Sequence, residues 1–125
     1  MSRSSDIAAI RAAIDAQFAS PVTVEIDDAA KRTGDYIILF LSRRYVDGRL
    51  ISGESRTDGW RLVTRYVAKK SAANVRVLQD RTRAAIEEKF LPDGVGPFSF
   101  ETEQESLAYD SDGGGWFTSA DAWIC

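Results

Sequence analysis

Between Gly59 and Glu88 the chain changes its rhythm. In "WRLVTRYV" the positions alternate: Trp60, Leu62, Thr64 and Tyr66 share one strand face, and Arg61, Val63, Arg65 and Val67 share the other. From Ser71 apolar positions recur every three to four residues, and Val75, Leu78, Thr82, Ala85 and Ile86 form one stripe. The pattern predicts a strand whose first face touches the core, then a helix over 71–89 with Ser71 as its N-cap. Arg76, Asp80, Arg83 and Glu87 lie on the outer face at spacings that permit ion pairs along the helix. Arg61 and Arg65 are left without local partners.

The same reading extends to the rest of the chain. "SSDIAAIRAAIDAQFASP" predicts a helix over 5–19, with Ile7, Ile10, Ile14 and Phe18 on one stripe. Ser4 or Ser5 can cap it, Asp6 suits the positive end of its dipole, and Ser20-Pro21 stops it. "VTVEI" alternates as a short strand, and "YIILFLSRRYV" (36–46) begins apolar on both faces, as a central strand does. Asp47–Asp58 has turn residues at both ends, so 36–46 and 60–68 are expected to form one long hairpin. Its tip carries charges and little apolar material and is expected to order weakly in the free chain. "FSFETE", "ESLAYD" and "WFTSADAWI" read as three further strands. The order α-β-β-β-α-β-β-β predicts an α+β fold: a mainly antiparallel sheet with two helices packed on one face, burying Ile7, Ile10, Ile14, Leu78 and Ile86. A chain of 125 residues suits a single domain spanning 1–125.

Composition narrows the chemistry. There is no histidine, which removes histidine acid/base catalysis, histidine-activated nucleophiles and histidine metal ligands. One cysteine, Cys125, permits no internal disulfide. The longest apolar run, "YIILFL", is too short to span a bilayer, and the N-terminal segment lacks a signal-peptide layout, so the chain is expected in the cytoplasm where it is made. The net charge of −3 is segregated: residues 1–30 carry −3, residues 31–89 carry +7, and residues 90–125 carry −7 with no basic group. Such asymmetry implies an anionic partner for the middle, association of unlike faces, or pairing of the two sets within one folded chain.

Three groups of residues invite a chemical reading. "DSDGGGWFTSAD" (Asp110–Asp121) has acids at positions one, three and twelve and a glycine at six of a calcium-type loop. Gly114 at position five has no side-chain oxygen and Asp121 is shorter than the usual glutamate, so a glycine-rich turn is the better reading. Glu101, Glu103 and Glu105 would share one face of an uninterrupted strand, as an acidic edge that meets solvent or a partner. Arg43, Arg44, Arg49, Arg56, Arg61 and Arg65, with Lys69 and Lys70, would line the long hairpin as solvated, intersubunit or anion-contacting groups. Neither "GxxxxGK[ST]" nor "GxGxxG" occurs, and no nucleic-acid reading motif is present. No catalytic, cofactor or metal residue is assigned.

The order of elements resembles that of the tail terminator proteins of long-tailed (siphovirus-type) bacteriophages. Three stretches carry the resemblance: the alanine-rich "IAAIRAAIDAQF", the strand-to-helix passage "WRLVTRYVAKKSAANVRVLQDRTRAAI", and the acidic glycine turn "YDSDGGGWFTSAD". The resemblance spans nearly the whole chain and rests on residue types. It implies a non-catalytic ring, usually of six subunits, at the head end of the tail. Such a ring caps the tail-tube protein, stops its polymerisation and joins the head connector. It implies no enzymatic activity, cofactor or membrane, and a virion location after assembly in the host cytoplasm. The arginines and Glu101, Glu103 and Glu105 would then meet the next subunit, or DNA in the lumen without sequence preference. The alternatives are another head-tail connector or tail-completion subunit, and a small carboxylate-based enzyme or binding module.

Overall fold

The computed structural model describes residues 3–25, 34–44, 48–49, 55–56, 59–91, 94–110 and 115–125; the side chains of Arg44, Arg49, Ser55, Arg56, Gln104, Glu105 and Asp110 lie outside the described set. Within it the order is α1 (Arg3–Asp15), β1 (Thr23–Glu25), β2 (Tyr36–Arg44), β3 (Gly48–Arg49), β4 (Ser55–Arg56), β5 (Gly59–Ala68), α2 (Ala72–Ile86), β6 (Ser99–Asp110) and β7 (Trp116–Ile124). Five strands form one sheet in the order β1-β2-β5-β7-β6, and β3 pairs with β4 as a separate two-stranded ribbon. Only β1 against β2 is parallel; β2–β5, β5–β7 and β6–β7 are antiparallel. The fold is α+β, as the hydrophobic pattern predicts.

Both helices pack on the same sheet face. Ile7, Ile10 and Ile14 of α1 and Val75, Leu78 and Ile86 of α2 join one core with Leu39, Leu62, Tyr66 and Trp123 of the sheet. The alternation in β5 divides its side chains as expected: Trp60, Leu62, Thr64 and Tyr66 are at most 2% exposed and face the helices. On the opposite sheet face Val24, Ile38 and Val67 form a smaller cluster, with Tyr36, Phe40 and Trp116 packed against it. Two tilted rings anchor its edge, Tyr36 and Trp116 meeting edge to face at 5.9 Å.

Helix ends follow local chemistry. Ser71 is extended (φ −161°, ψ 156°), and its Oγ accepts from the Asn74 amide at 3.2 Å, so it caps α2 as predicted. α1 is different. Ser4 and Ser5 lie inside the helix, which begins by Arg3, so neither is its cap. The helix stops at Asp15, ahead of the predicted Ser20-Pro21. Asp15 draws the chain back: its carboxylate accepts from the Val22 and Thr23 amides at 2.9 and 3.0 Å and from the Thr23 hydroxyl at 2.8 Å. These bonds fasten the entrance of β1 to the end of α1.

The long hairpin is present, with Tyr36 opposite Val67 and Arg44 opposite Gly59. Beyond it Gly48↔Arg56 and Arg49↔Ser55 continue the pairing as β3 and β4; the rest of the tip, and the expectation of weak order there, lies outside the described residues. "FSFETE" and "ESLAYD" are one strand, β6, and not two. Its pairing with β7 shifts register between Phe100 and Thr102, Glu103 and Glu105, and Glu105 and Ala108. Each irregularity inserts residues without ending the strand, which explains why the sequence reads as two short strands. Gly96 enters this strand with φ +90°, and a Cβ there would lie 3.2 Å from both the Lys89 carbonyl and the Phe98 amide, so glycine is required.

Candidate functional site

Among the described residues, buried polar side chains converge between α2 and the sheet, around Asp121. This carboxylate is fully buried in the middle of β7. Arg83 binds it with two parallel bonds, Nε to Oδ2 at 3.1 Å and Nη2 to Oδ1 at 3.0 Å. The Tyr66 hydroxyl donates to Oδ2 at 2.7 Å, and Gln79 Nε2 donates to Oδ1 at 3.0 Å. Four donors thus fill the roughly four acceptor positions of a carboxylate. No acceptor remains for a metal, so the calcium-type reading of Asp110–Asp121 fails at its twelfth position. Asp121 is a strand residue that holds α2 in place.

The donors fix one another's protons. Asp121 accepts, so Tyr66 spends its proton there. Thr64 Oγ1, at 2.8 Å, must therefore donate to the Tyr66 oxygen, and it accepts in turn from Trp123 Nε1 at 3.1 Å. Burial, and then the Asp121 charge, raise the Tyr66 pKa well above its ordinary value, so the hydroxyl stays protonated. The hydrogen bonds to Asp121 raise the Arg83 pKa in turn. Gln79 Oε1 accepts from Arg76 Nη1 at 2.7 Å, which orients its amide for Asp121. A second buried carboxylate, Asp6, accepts from Trp60 Nε1 at 2.7 Å and ties the start of α1 to β5.

The surface residues expected to form an interface separate onto two sheet faces. Arg61 and Arg65 alternate with the core-facing residues of β5 and so point away from the helices; Arg61 lies 3.7 Å from Glu101. Arg65 is half-buried, on a strand position between Ile38 and Ala120. Glu103 turns the other way, lying 3.5 Å from Arg76 of α2 and accepting from Ser119 Oγ at 3.4 Å. The bulges of β6 break the period-two pattern, so Glu101 and Glu103 do not share the predicted face. Arg43 is exposed, with its guanidinium 4.6 Å above the Trp60 ring. Arg44, Arg49, Arg56 and Glu105 lie on β2, β3, β4 and β6, with side chains outside the described set.

Arg76 and Arg83 also depart from expectation. Their ion pairs run to the sheet instead of along α2, and Arg83 stacks 4.6 Å over the Phe100 ring. The sequence reading weighed Asp121 only as the last position of a calcium-type loop and missed its role as a buried hub. Its only signal is an acid between Ala120 and Ala122 in a strand that is otherwise mostly apolar. Among the described residues no group of histidine, cysteine, aspartate or glutamate could hold a metal ion, and no helix is long and apolar enough to cross a membrane.

No protein-family model matches the chain, and no curated protein matches its sequence.

Proposed function

We propose that the chain is a non-catalytic subunit of a bacteriophage tail terminator. Its copies form a ring on the last ring of tail-tube protein, stop polymerisation there and offer the surface that joins the head connector. The observation that carries this reading is the element order, α-β-β-hairpin-β-α-β-β around one sheet, together with the sequence stretches that resemble that family. The buried acids support a structural role. Asp121 and Asp6 are both buried and engaged in helix-to-sheet hydrogen bonds.

The charge split supports association only in part. Arg61–Glu101, Arg76–Glu103 and Arg83–Asp121 each join the basic middle of the chain to its acidic C-terminal region, so folding already satisfies some of the asymmetry. The rest is available to steer unlike faces of neighbouring subunits together, as a closed ring requires.

The test is to mix the purified protein with growing tail tubes and to measure tube length and end occupancy by negative-stain electron microscopy. Tubes of limited length with protein at one end are expected. Tubes that keep growing with bare ends remove the terminator reading, and binding at the end without arrest of growth points to another connector or completion subunit.

A further inference from the structure

Two exposed features at opposite ends of α2 are complementary. The first is Phe90, four residues beyond the last residue of the helix and 81% exposed. Its neighbours hold it there: Leu91 is buried, with its amide bonded to the Val95 carbonyl at 3.0 Å, and the Lys89 amide meets the Ile86 carbonyl at 3.4 Å. An aromatic ring on a fixed stem is thereby presented to solvent. The second is a hollow of about 210 Å³ between the end of α1 and the N-terminal half of α2, lined by Phe18, Val22, Val77 and Leu78, with Asp35 and Arg81 at its wall. Val77, 45% exposed, is another large apolar side chain left open to solvent.

The hollow is smaller than the roughly 300–1,000 Å³ of small-molecule sites. It suits a single side chain. Charges of both signs flank each feature, so each group at one has a group of opposite sign at the other. Glu87, Glu88 and Lys89 precede Phe90, and Arg81 and Asp35 border the hollow. Arg81 is held across the hollow's wall, 5.2 Å over the Phe18 ring and donating to the Gln17 carbonyl at 3.3 Å. Helix positions 77 and 86 are about 13 Å apart along the axis at about 1.5 Å per residue. In the structure Phe90 does not fill its own chain's hollow.

We infer that Phe90 of one subunit inserts into the Phe18–Val22–Val77–Leu78 hollow of a second copy of this chain. Glu87 or Glu88 then approaches the second copy's Arg81, and Lys89 approaches its Asp35. The contact is head-to-tail: each subunit offers a knob at one end of α2 and a socket at the other. Repetition of one such contact closes a ring or extends a filament. A buried aromatic at the centre of a small contact, ringed by charges, is the arrangement that concentrates binding energy in protein interfaces. This inference rests on the ring reading and names the contact that would build the ring.

The test uses the full chain, with Phe90→Glu to disable the knob and Val77→Glu to disable the socket. Both positions are solvent-exposed, and circular dichroism melts confirm that each variant folds; Phe90→Ala serves as a milder second knob variant. Sedimentation is followed over a concentration series. Wild type should associate as concentration rises, and each single variant should remain monomeric. A one-to-one mixture of Phe90→Glu and Val77→Glu should give dimers and nothing larger, because only one productive knob and one productive socket remain per pair. A wild-type chain that stays monomeric, or single variants that associate as wild type does, overturns the contact. So does a mixture that yields no dimer. The tail-tube experiment separates the two proposals. Variants that still cap tubes remove this contact and leave the terminator reading standing, whereas a wild-type chain that associates without capping tubes removes only the latter.

Discussion

Asp121 and Arg83 differ in their access to water, and that decides what each is worth. Asp121 has no exposed surface, while 34% of the Arg83 side chain is exposed. Removing the arginine leaves a buried carboxylate with only two neutral donors, Tyr66 and Gln79. Arg83→Ala should therefore cost roughly 3–5 kcal/mol, the range for breaking a buried pair from one side. Arg61→Ala should cost at most about 1 kcal/mol in folding, because Arg61 and Glu101 are both 38% exposed and 3.7 Å apart. Urea denaturation of the two variants gives the comparison, and equal losses would contradict it. Tyr66 supplies a pH test. Its folded pKa is raised, so above about pH 10 the unfolded chain releases a proton that the folded chain retains. The stabilisation is complete below that pH and is lost as pH rises toward the folded value. Thermal melts should show stability falling above about pH 10, with a shallower fall in Tyr66→Phe. None of this network was legible from spacing alone. Tyr66 and Asp121 are 55 positions apart, and Gln79 and Asp121 are 42. The alternation of β5 shows that Tyr66 points inward, but it cannot show which acid meets it.

Elements with one clean period were legible, and those with an interrupted period were not. Both helices and the β2–β5 hairpin exist where the apolar spacing puts them, and Ser71 caps α2 as its position suggests, although α2 ends at Ile86, short of the expected 89. The failures have a common cause in pairing between distant segments. α1 ends early because Asp15 bonds to residues seven and eight positions further on. β6 reads as two strands because its bulges change which face each residue takes, and those bulges are set by the register against β7. The same irregularities sit on an edge strand of twelve residues. Together with its exposed glutamates they discourage extension of the sheet by another chain. Adjacent positions on α2 give a test of the helix packing. Leu78 is 4% exposed and belongs to the main core, so Leu78→Ala should cost roughly 2–5 kcal/mol. Val77→Ala, at a site 45% exposed, should stay within about 0.5 kcal/mol. A reversed order would show that the helix is turned on the sheet by about 100° relative to the structure.

At the scale of the whole molecule the charge segregation has two destinations, and salt distinguishes them. Among the described residues, Arg61–Glu101, Arg76–Glu103 and Arg83–Asp121 join the basic middle to the acidic C-terminal region within one subunit. One of these, Arg83–Asp121, is shielded by burial, and salt should affect it little. In the proposed assembly, exposed charges of neighbouring subunits would act on one another over about 8–10 Å at physiological ionic strength, and added salt shortens that reach. If subunits meet through an apolar knob and socket bordered by charges, the two classes of interaction separate kinetically. Long-range charge brings the faces together, and the buried ring keeps them there. Raising the salt concentration should then slow binding to tube ends while leaving release nearly unchanged. Folding stability should respond weakly over the same range. The measurement is the rate of appearance and loss of labelled protein at immobilised tail-tube ends as salt is varied. An equal salt effect on both rates would place the charged pairs inside the contact. No effect on either would remove electrostatic steering and leave the segregation as a feature of folding alone.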